Sequence, residues 1–420
     1  MKINTLKNGV RVVTDKNDYA LSATIGVWVR VGAVDESDDI SGISHFIEHM
    51  MFKGTDTRTA KDIAFAMDSI GGSINAFTSK ECTCYNATVT YEHIGKAVVL
   101  LADMLKNSVI DQKELDKERG VILEEINMVE DSPEDVIHRL HCENFFNGSS
   151  VSNSVIGTKD TVSAMNSMDL RKYIGEHYTA ERIVVSVAGR FDEDELLKLI
   201  DKEFGSGITE AGNGDKYCNE KPLIEKESNI AFRKMPIEQT HICLGFPGLS
   251  ISAPNLYDMY IFSNLFGVSM SSRLFQKIRE EYALCYTVYS YASPYTNTGV
   301  FNIYSATNKN QVKQLIDVAM SEISSIIKEG PSKEEFDMAK EQMKGNYILG
   351  SESTGGRMSS LGRSMLLTGE PKTPEKVLER INAVTIDSMM STVKELLDVE
   401  KMAATFVGNV EKEDCHGFLS

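Results

Sequence analysis

The chain has 420 residues, of which 42% are hydrophobic and 25% charged, and its formal net charge is −17. Length sets an expectation of two to four domains of about 100–200 residues, with the apolar-to-charged balance of a globular protein. The acidic excess argues against a nucleic-acid partner or an anionic membrane surface, since both need a basic face. No run of about eighteen apolar residues occurs, so no spanning helix is expected.

The opening MKINTLKNGVRVVTDKN alternates like a strand. It has neither the apolar stretch of a signal peptide nor the Arg- and Ser-rich make-up of a transit peptide. The seven cysteines (Cys82, Cys84, Cys142, Cys218, Cys243, Cys285 and Cys415) are odd in number and scattered. They read as reduced thiols and, with no secretion signal, point to a cytoplasmic protein.

After the β-rich segments GVRVVTD and ATIGVWVRVGA comes ISGISHFIEHMMFKGT. Ile43, Phe46, Ile47, Met50 and Met51 recur at helical spacing, and His45, Glu48 and His49 fall on the opposite side of that helix. Two imidazoles at i and i+4 can grip one zinc ion, and a carboxylate between them can take a proton from water activated there. The order H-x-x-E-H is that of the inverted zincins. A hydrolytic zinc site uses three protein ligands and keeps one position open, so a distant residue must complete the set.

Next, SINAFTSKECTCYNATV alternates as a strand after the turn residues Gly71 and Gly72, and KECTCYNATVTYEHIGKAVVLLADMLKN carries the pattern on into a helix. The charged helical segment DQKELDKERGVILEEINMVED follows. In it Glu118 and Glu125 are two turns apart and share a face; on composition alone Glu114 and Glu124 compete with them as the third ligand. His138 and His141, an i, i+3 pair, read as a partly buried helix face rather than a metal site.

Gly, Asn, Ser and charge replace periodic pattern around 205–222. Beyond it the order of the first half recurs. NIAFRKM and THICLGFPG precede SMSSRLFQKIREE, a segment we match to the histidine helix and which lacks histidines. NTGVFNIYSATNKNQVKQLIDVAMSEISSIIKEG then leads into SKEEFDMAKEQMKG. The expected architecture is therefore α+β with a duplicated domain: 1–205 with the metal site, a linker at 206–222, and 223–420 without one. Gly355-Gly356 lies outside any phosphate-loop spacing and reads as a turn between helices.

His45-Phe-Ile-Glu48-His49 with Met-Phe-Lys-Gly-Thr, then GGSINAFTSKECTCY, then ERGVILEEI, resemble the pitrilysin/insulinase family of zinc metallopeptidases. Within it the closest resemblance is to the branch of the mitochondrial processing peptidase catalytic subunit and its bacterial relatives. The resemblance implies two tandem α/β rolls, each a mixed sheet with helices on one face, together forming one bowl of a clamshell. It makes Glu125 the third ligand to one Zn²⁺ per chain, Glu118 the residue that orients the site, and Glu48 the general base. It places Asn75 and Ala76 on an edge strand that binds peptide, and gives Arg279 and Tyr286 of IREEYALCYTV a role at the scissile bond. Arg273, nearby in SSRLF, is a bystander in this reading. One chain supplies one bowl, so the resemblance also implies a homodimer or a heterodimer with a related subunit, acting on unfolded peptides or leader segments. It leaves a third possibility, since the family also contains non-catalytic respiratory-complex core subunits.

Overall fold

The structure, a computed structural model, describes residues 1–209 and 230–419. The first half of the chain forms six strands: β1 (Lys2–Thr5), β2 (Arg11–Lys16), β3 (Ser22–Val29), β4 (Ser73–Thr78), β5 (Thr83–Thr90) and β6 (Ile183–Gly189). Its helices are α1 (Ile43–Met50), α2 (Ala60–Asp68), α3 (Ile94–Asn107), α4 (Gln112–Asp131) and α5 (Pro133–Phe145), then α6 (Lys159–Ala164), α7 (Ser167–His177) and α8 (Glu193–Phe204). The second half adds β7 (Ile230–Lys234), β8 (Gln239–Pro247), β9 (Thr287–Pro294), β10 (Gly299–Asn308) and β11 (Ala403–Gly408). Its helices are α9 (Leu256–Ser263), α10 (Val312–Glu329), α11 (Lys333–Ser351) and α12 (Thr354–Thr368), then α13 (Pro374–Ala383), α14 (Ile386–Leu396) and α15 (Lys412–Leu419).

Two mixed sheets result. One runs β1-β2-β6-β3-β5-β4 and the other β7-β11-β8-β10-β9. Without β1, the two orders superpose strand for strand, and in both the first pair (β2 with β6, β7 with β11) is the parallel one. This is the duplicated α/β architecture expected from the recurring pattern. Each sheet packs one face on its main helical layer. In the first, Ala23, Ile25, Val27 and Val29 of β3 join Val98, Leu101 and Leu105 of α3 in one core. In the second, Leu244, Phe246, Phe301 and Ile303 join Leu315, Ala319 and Ile323 of α10.

The opposite face of each sheet is covered by a helix from the other half of the chain, a feature that chain-order boundaries miss. The first compact unit comprises Met1–Ile126, the described part of Asn153–Asn219, and Ile348–Pro374; the second includes Asn127–Ser152. Thus α12 belongs with the first sheet and α5 with the second, whereas the division into 1–205 and 223–420 assigns them the other way. The expected linker at 206–222 lies mostly outside the described residues. In unit one, α12 lies close to β3 because glycines face it. A Cβ on Gly26 would sit 2.3 Å from Met358 Sδ, and one on Gly362 would sit 2.1 Å from Trp28 Nε1. Thr24 Oγ1 meets Thr354 Oγ1 at 2.9 Å, and Arg357 Nε donates to Asp15 at 2.6 Å. In unit two, His141 of α5 is buried with Nδ1 2.9 Å from Thr405 Oγ1 and Nε2 3.0 Å from Asn302 Oδ1. His138 bonds Tyr289 and Tyr291 of β9. The His138/His141 pair is thus a helix face packed on a sheet.

Element order corrects one correspondence. Between β8 and β9 the chain passes first through α9 with its π-helical continuation Asn264–Val268, and then through the π-helical turn Phe275–Glu281. The counterpart of α1 is therefore Leu256–Val268, and SMSSRLFQKIREE corresponds to α2. Neither segment holds a histidine. Cys82, Cys84, Cys142, Cys243, Cys285 and Cys415 form no disulfide among the described residues, and Cys218 lies outside them. Among the described residues no helix is long and apolar enough to cross a membrane.

Candidate active site

Helix α1 turns Ile43, Phe46, Ile47 and Met50 into the core of unit one. That burial fixes its rotation and leaves His45, Glu48 and His49 facing α4 and β4. Helix α4 is anchored in the same core by Leu115, Ile122 and Ile126, and Glu118 is buried alongside them. Glu125, the residue just before Ile126 at the end of that buried stripe, is half-exposed and reaches the histidines.

His45 Nε2 is 3.7 Å and His49 Nε2 3.6 Å from the same oxygen, Glu125 Oε2. These separations exceed a hydrogen bond, whose limit is about 3.2 Å. They lie near the edge of a tetrahedron around zinc, about 3.4 Å for metal–ligand bonds of about 2.0–2.2 Å. Among the described residues this trio is the group of three or more histidine, cysteine or acidic side chains whose donor atoms converge, all within 4.8 Å of one another. Two imidazole nitrogens and one carboxylate are a donor set that zinc favours. Of the competing carboxylates, Glu114 is engaged with Lys117 at 2.6 Å, and Glu124 is not part of the convergent group.

Glu118 Oε1 lies 2.8 Å from His49 Nδ1, and Lys53 Nζ is 2.5 Å from Glu118 Oε2. Burial pushes the Glu118 carboxyl up, but the bonds from Lys53 and His49 outweigh it and hold the group below its ordinary value. An ionised carboxylate only accepts, so His49 carries its proton on Nδ1 and presents the Nε2 lone pair to the trio. His45 is kept neutral by its burial. Burial, with a smaller contribution from His49, lowers its pKa to about 4. Its Nδ1 is buried with no hydrogen-bond partner.

Glu48 is no member of the trio. Its Oε2 accepts from Thr78 Oγ1 at 2.6 Å, and burial raises its pKa against the opposing effects of that bond and of His49. A carboxylate with a raised pKa is a better proton acceptor at neutral pH. Thr78 ends β4, the outer strand of the first sheet, which pairs with β5 on one side only. Asn75 and Ala76 sit on this edge, with Asn75 Oδ1 accepting the amide of Ala76 at 2.9 Å. An unpaired strand edge that runs up to Glu48 can take an extended chain as an added strand.

Arg279 and Tyr286 belong to unit two. The Arg279 guanidinium lies 4.8 Å from the Tyr286 ring centre and 4.6 Å from that of Phe275, and Tyr286 is 77% exposed. Arg273 forms a fork with Glu335 at 2.7 and 3.1 Å, so its guanidinium is committed to structure. Sequence reasoning passed over Lys53 and Thr78. Lys53 was on view in MFKGT, and Thr78 shares a face of β4 with Ala76, so strand alternation could have found it.

Two family models match the chain, one for the insulinase family (peptidase family M16) over residues 11–159 and one for the peptidase M16 inactive domain over 164–343. A Bacillus subtilis protein named as the uncharacterized zinc protease YmxG is 41% identical over 396 residues, covering 94% of this chain and 95% of its own. The chain belongs to the M16 family of peptidases. Another M16 relative, named an uncharacterized zinc protease of Streptomyces coelicolor, is 35% identical over 94% of this chain and 86% of its own. The fold matches the crystal structure of a protease from Helicobacter pylori with a TM-score of 0.90 at 19% identity, over 97% and 99% of the two chains. It also matches a chain of complex III₂ from Candida albicans with a TM-score of 0.84 at 19% identity, over 99% of each chain.

Proposed function

We propose that this M16 protein is a zinc-dependent endopeptidase. The observation that carries the reading is the convergence of His45, His49 and Glu125 on one point, with Glu118 fixing the tautomer of His49 and Glu48 standing beside the trio. Zinc held there supplies a Lewis acid that polarises a peptide carbonyl and acidifies water. Glu48 takes the proton of the attacking water and passes it to the leaving amine, with Thr78 holding its carboxylate in place. Substrate lies along β4 as an added strand, fixed through backbone groups at Asn75 and Ala76. Arg279 and Tyr286 bind the scissile peptide and stabilise the developing oxyanion.

In this reading one chain is one bowl of a closed chamber. The active form is a homodimer, or a heterodimer with a related subunit, working in the cytoplasm on unfolded peptides or on leader segments. A non-catalytic core role, as the likeness to a complex III chain would allow, leaves the paired histidines and Glu48 without a use. Glu48→Gln separates the two. It should keep close to one zinc per chain and lose peptide hydrolysis, whereas His45→Ala should lose the metal as well. Cleavage by Glu48→Gln near the wild-type rate, read by mass spectrometry of a mixed peptide pool, would refute the mechanism.

A further inference from the structure

The two histidines of the trio are held in different ways. His49 is aimed by a side chain, through Nδ1 to Glu118 at 2.8 Å. His45 Nδ1 has no such partner, so the direction of its ring is set by the backbone of the first turn of α1, where it is the third residue. A helix of eight residues has little length over which to absorb an error at its start.

The start of α1 cannot cap itself. Its N-cap is Gly42 at φ +92°, and a Cβ there would lie 2.7 Å from the Gly157 Cα, so no side chain fits. The usual Ser, Thr, Asp or Asn acceptor is excluded by that close approach. Glu36 takes over the task from six residues upstream. Its Oε2 accepts the Gly42 amide at 2.7 Å and its Oε1 the Ser44 amide at 2.9 Å. The carboxylate is 5% exposed, and Asn153 Nδ2 fixes the local backbone through the Glu36 and Ala33 carbonyls at 3.0 and 3.1 Å. On its other side Ser44 is 3.3 Å from Tyr173 OH of α7. The bonds to Gly42 and Ser44 bracket the peptide units immediately before His45.

We propose that Glu36 is a positioning residue for the metal centre, doing for His45 through the backbone what Glu118 does for His49 through the ring. The inference rests on the zinc reading given above. It has a physical precedent in outer partners of metal ligands, whose loss weakens binding by about 10–100-fold. A glutamine at 36 keeps the shape but turns one acceptor into an amide NH₂ facing a backbone N–H, so one of the two bonds must break.

The test measures zinc dissociation constants of the full-length protein by competition with a chromophoric chelator, for wild type, Glu36→Gln, His45→Ala and the double variant. Glu36→Gln should weaken binding by on the order of tenfold or more. Because it acts through His45, the further loss caused by His45→Ala should be smaller in the Glu36→Gln background than in wild type. The visible spectrum of the cobalt-loaded protein should change in Glu36→Gln, while Phe204→Leu, a core substitution in α8, should leave spectrum and affinity unchanged. If Glu36→Gln fails to fold, Glu36→Asp, which keeps the charge but is too short to span both amides, should show the same coupling to His45. Wild-type affinity in a folded Glu36 variant, or losses that simply add, would overturn the inference alone. A wild-type protein that binds no zinc would overturn the metal reading beneath it.

Discussion

His141 offers a quantitative test of the packing of α5 on the second sheet. It is 2% exposed, with both ring nitrogens engaged by Thr405 and Asn302, and burial lowers its pKa to about 3. In the unfolded chain the ring titrates near 6.5. The folded state thus stays neutral while the unfolded state gains a proton as pH falls below 6.5. The stability that depends on a neutral His141 is present above pH 6.5 and is lost progressively toward pH 3. Between pH 7 and pH 5 this linkage amounts to about 2 kcal/mol. Urea unfolding at both pH values gives the total loss, which includes every other titrating group. Repeating it with His141→Gln, an uncharged side chain that can both donate and accept, removes the His141 part. The wild-type loss should exceed the variant's by about 2 kcal/mol. Equal losses would mean that His141 is solvated in the folded state, and that α5 does not lie on this sheet as described.

Three further outcomes bear on the metal centre. Glu118→Gln should raise the zinc dissociation constant by about 10–100-fold in the chelator assay, and an unchanged value would remove its orienting role. Glu125→Gln should lose zinc while Glu124→Gln keeps it; the reverse in metal analysis would mean that the third ligand is misassigned. If Arg279 of one protomer serves the zinc of its partner, mixing His45→Ala and Arg279→Ala dimers under subunit exchange should restore activity to at most about half the wild-type rate per dimer. No recovery, with exchange verified, would place Arg279 in its own chain's site.

The convergence of the candidate metal ligands was legible because its parts have local signatures. His45, Glu48 and His49 are spaced by one helical turn, and Glu118 and Glu125 by two, so each set shares a face before any tertiary contact is known. What brings α1 to α4 is long-range packing, and for that reason Lys53, Thr78 and Glu36 surfaced only in the fold. The duplicated sheet order could be read from recurring patterns, yet the partner of α1 was misplaced. The charged helix QKIREE looks more like a site helix than the apolar Leu256–Val268, and only strand order separates them. The exchange of α5 and α12 left a fainter trace. Strand β6, IVVSVAG, is buried along its whole length, as strands covered on both faces are. Such a run says that a second cover exists but not which part of the chain provides it.

That exchange also sets the timing of folding during synthesis. The inner strands β2, β3 and β6 and the helices that carry the His45–His49–Glu125 trio are all made by residue 189, but the cover for Thr24, Gly26 and Trp28 is not complete until Thr368 has been added. A nascent chain therefore carries a nearly finished first sheet with one bare face for roughly 180 residues of elongation, or about 10–40 s at 5–20 residues per second. During that interval the chain holds an uncovered sheet face, with Trp28 on it, beside a free strand edge, the condition under which chaperone capture or association between nascent chains competes with folding. In a ribosome-bound chain stalled before residue 354 this face should be open to protease and chaperone, and in one stalled after residue 374 it should be protected, while the second sheet still lacks β11.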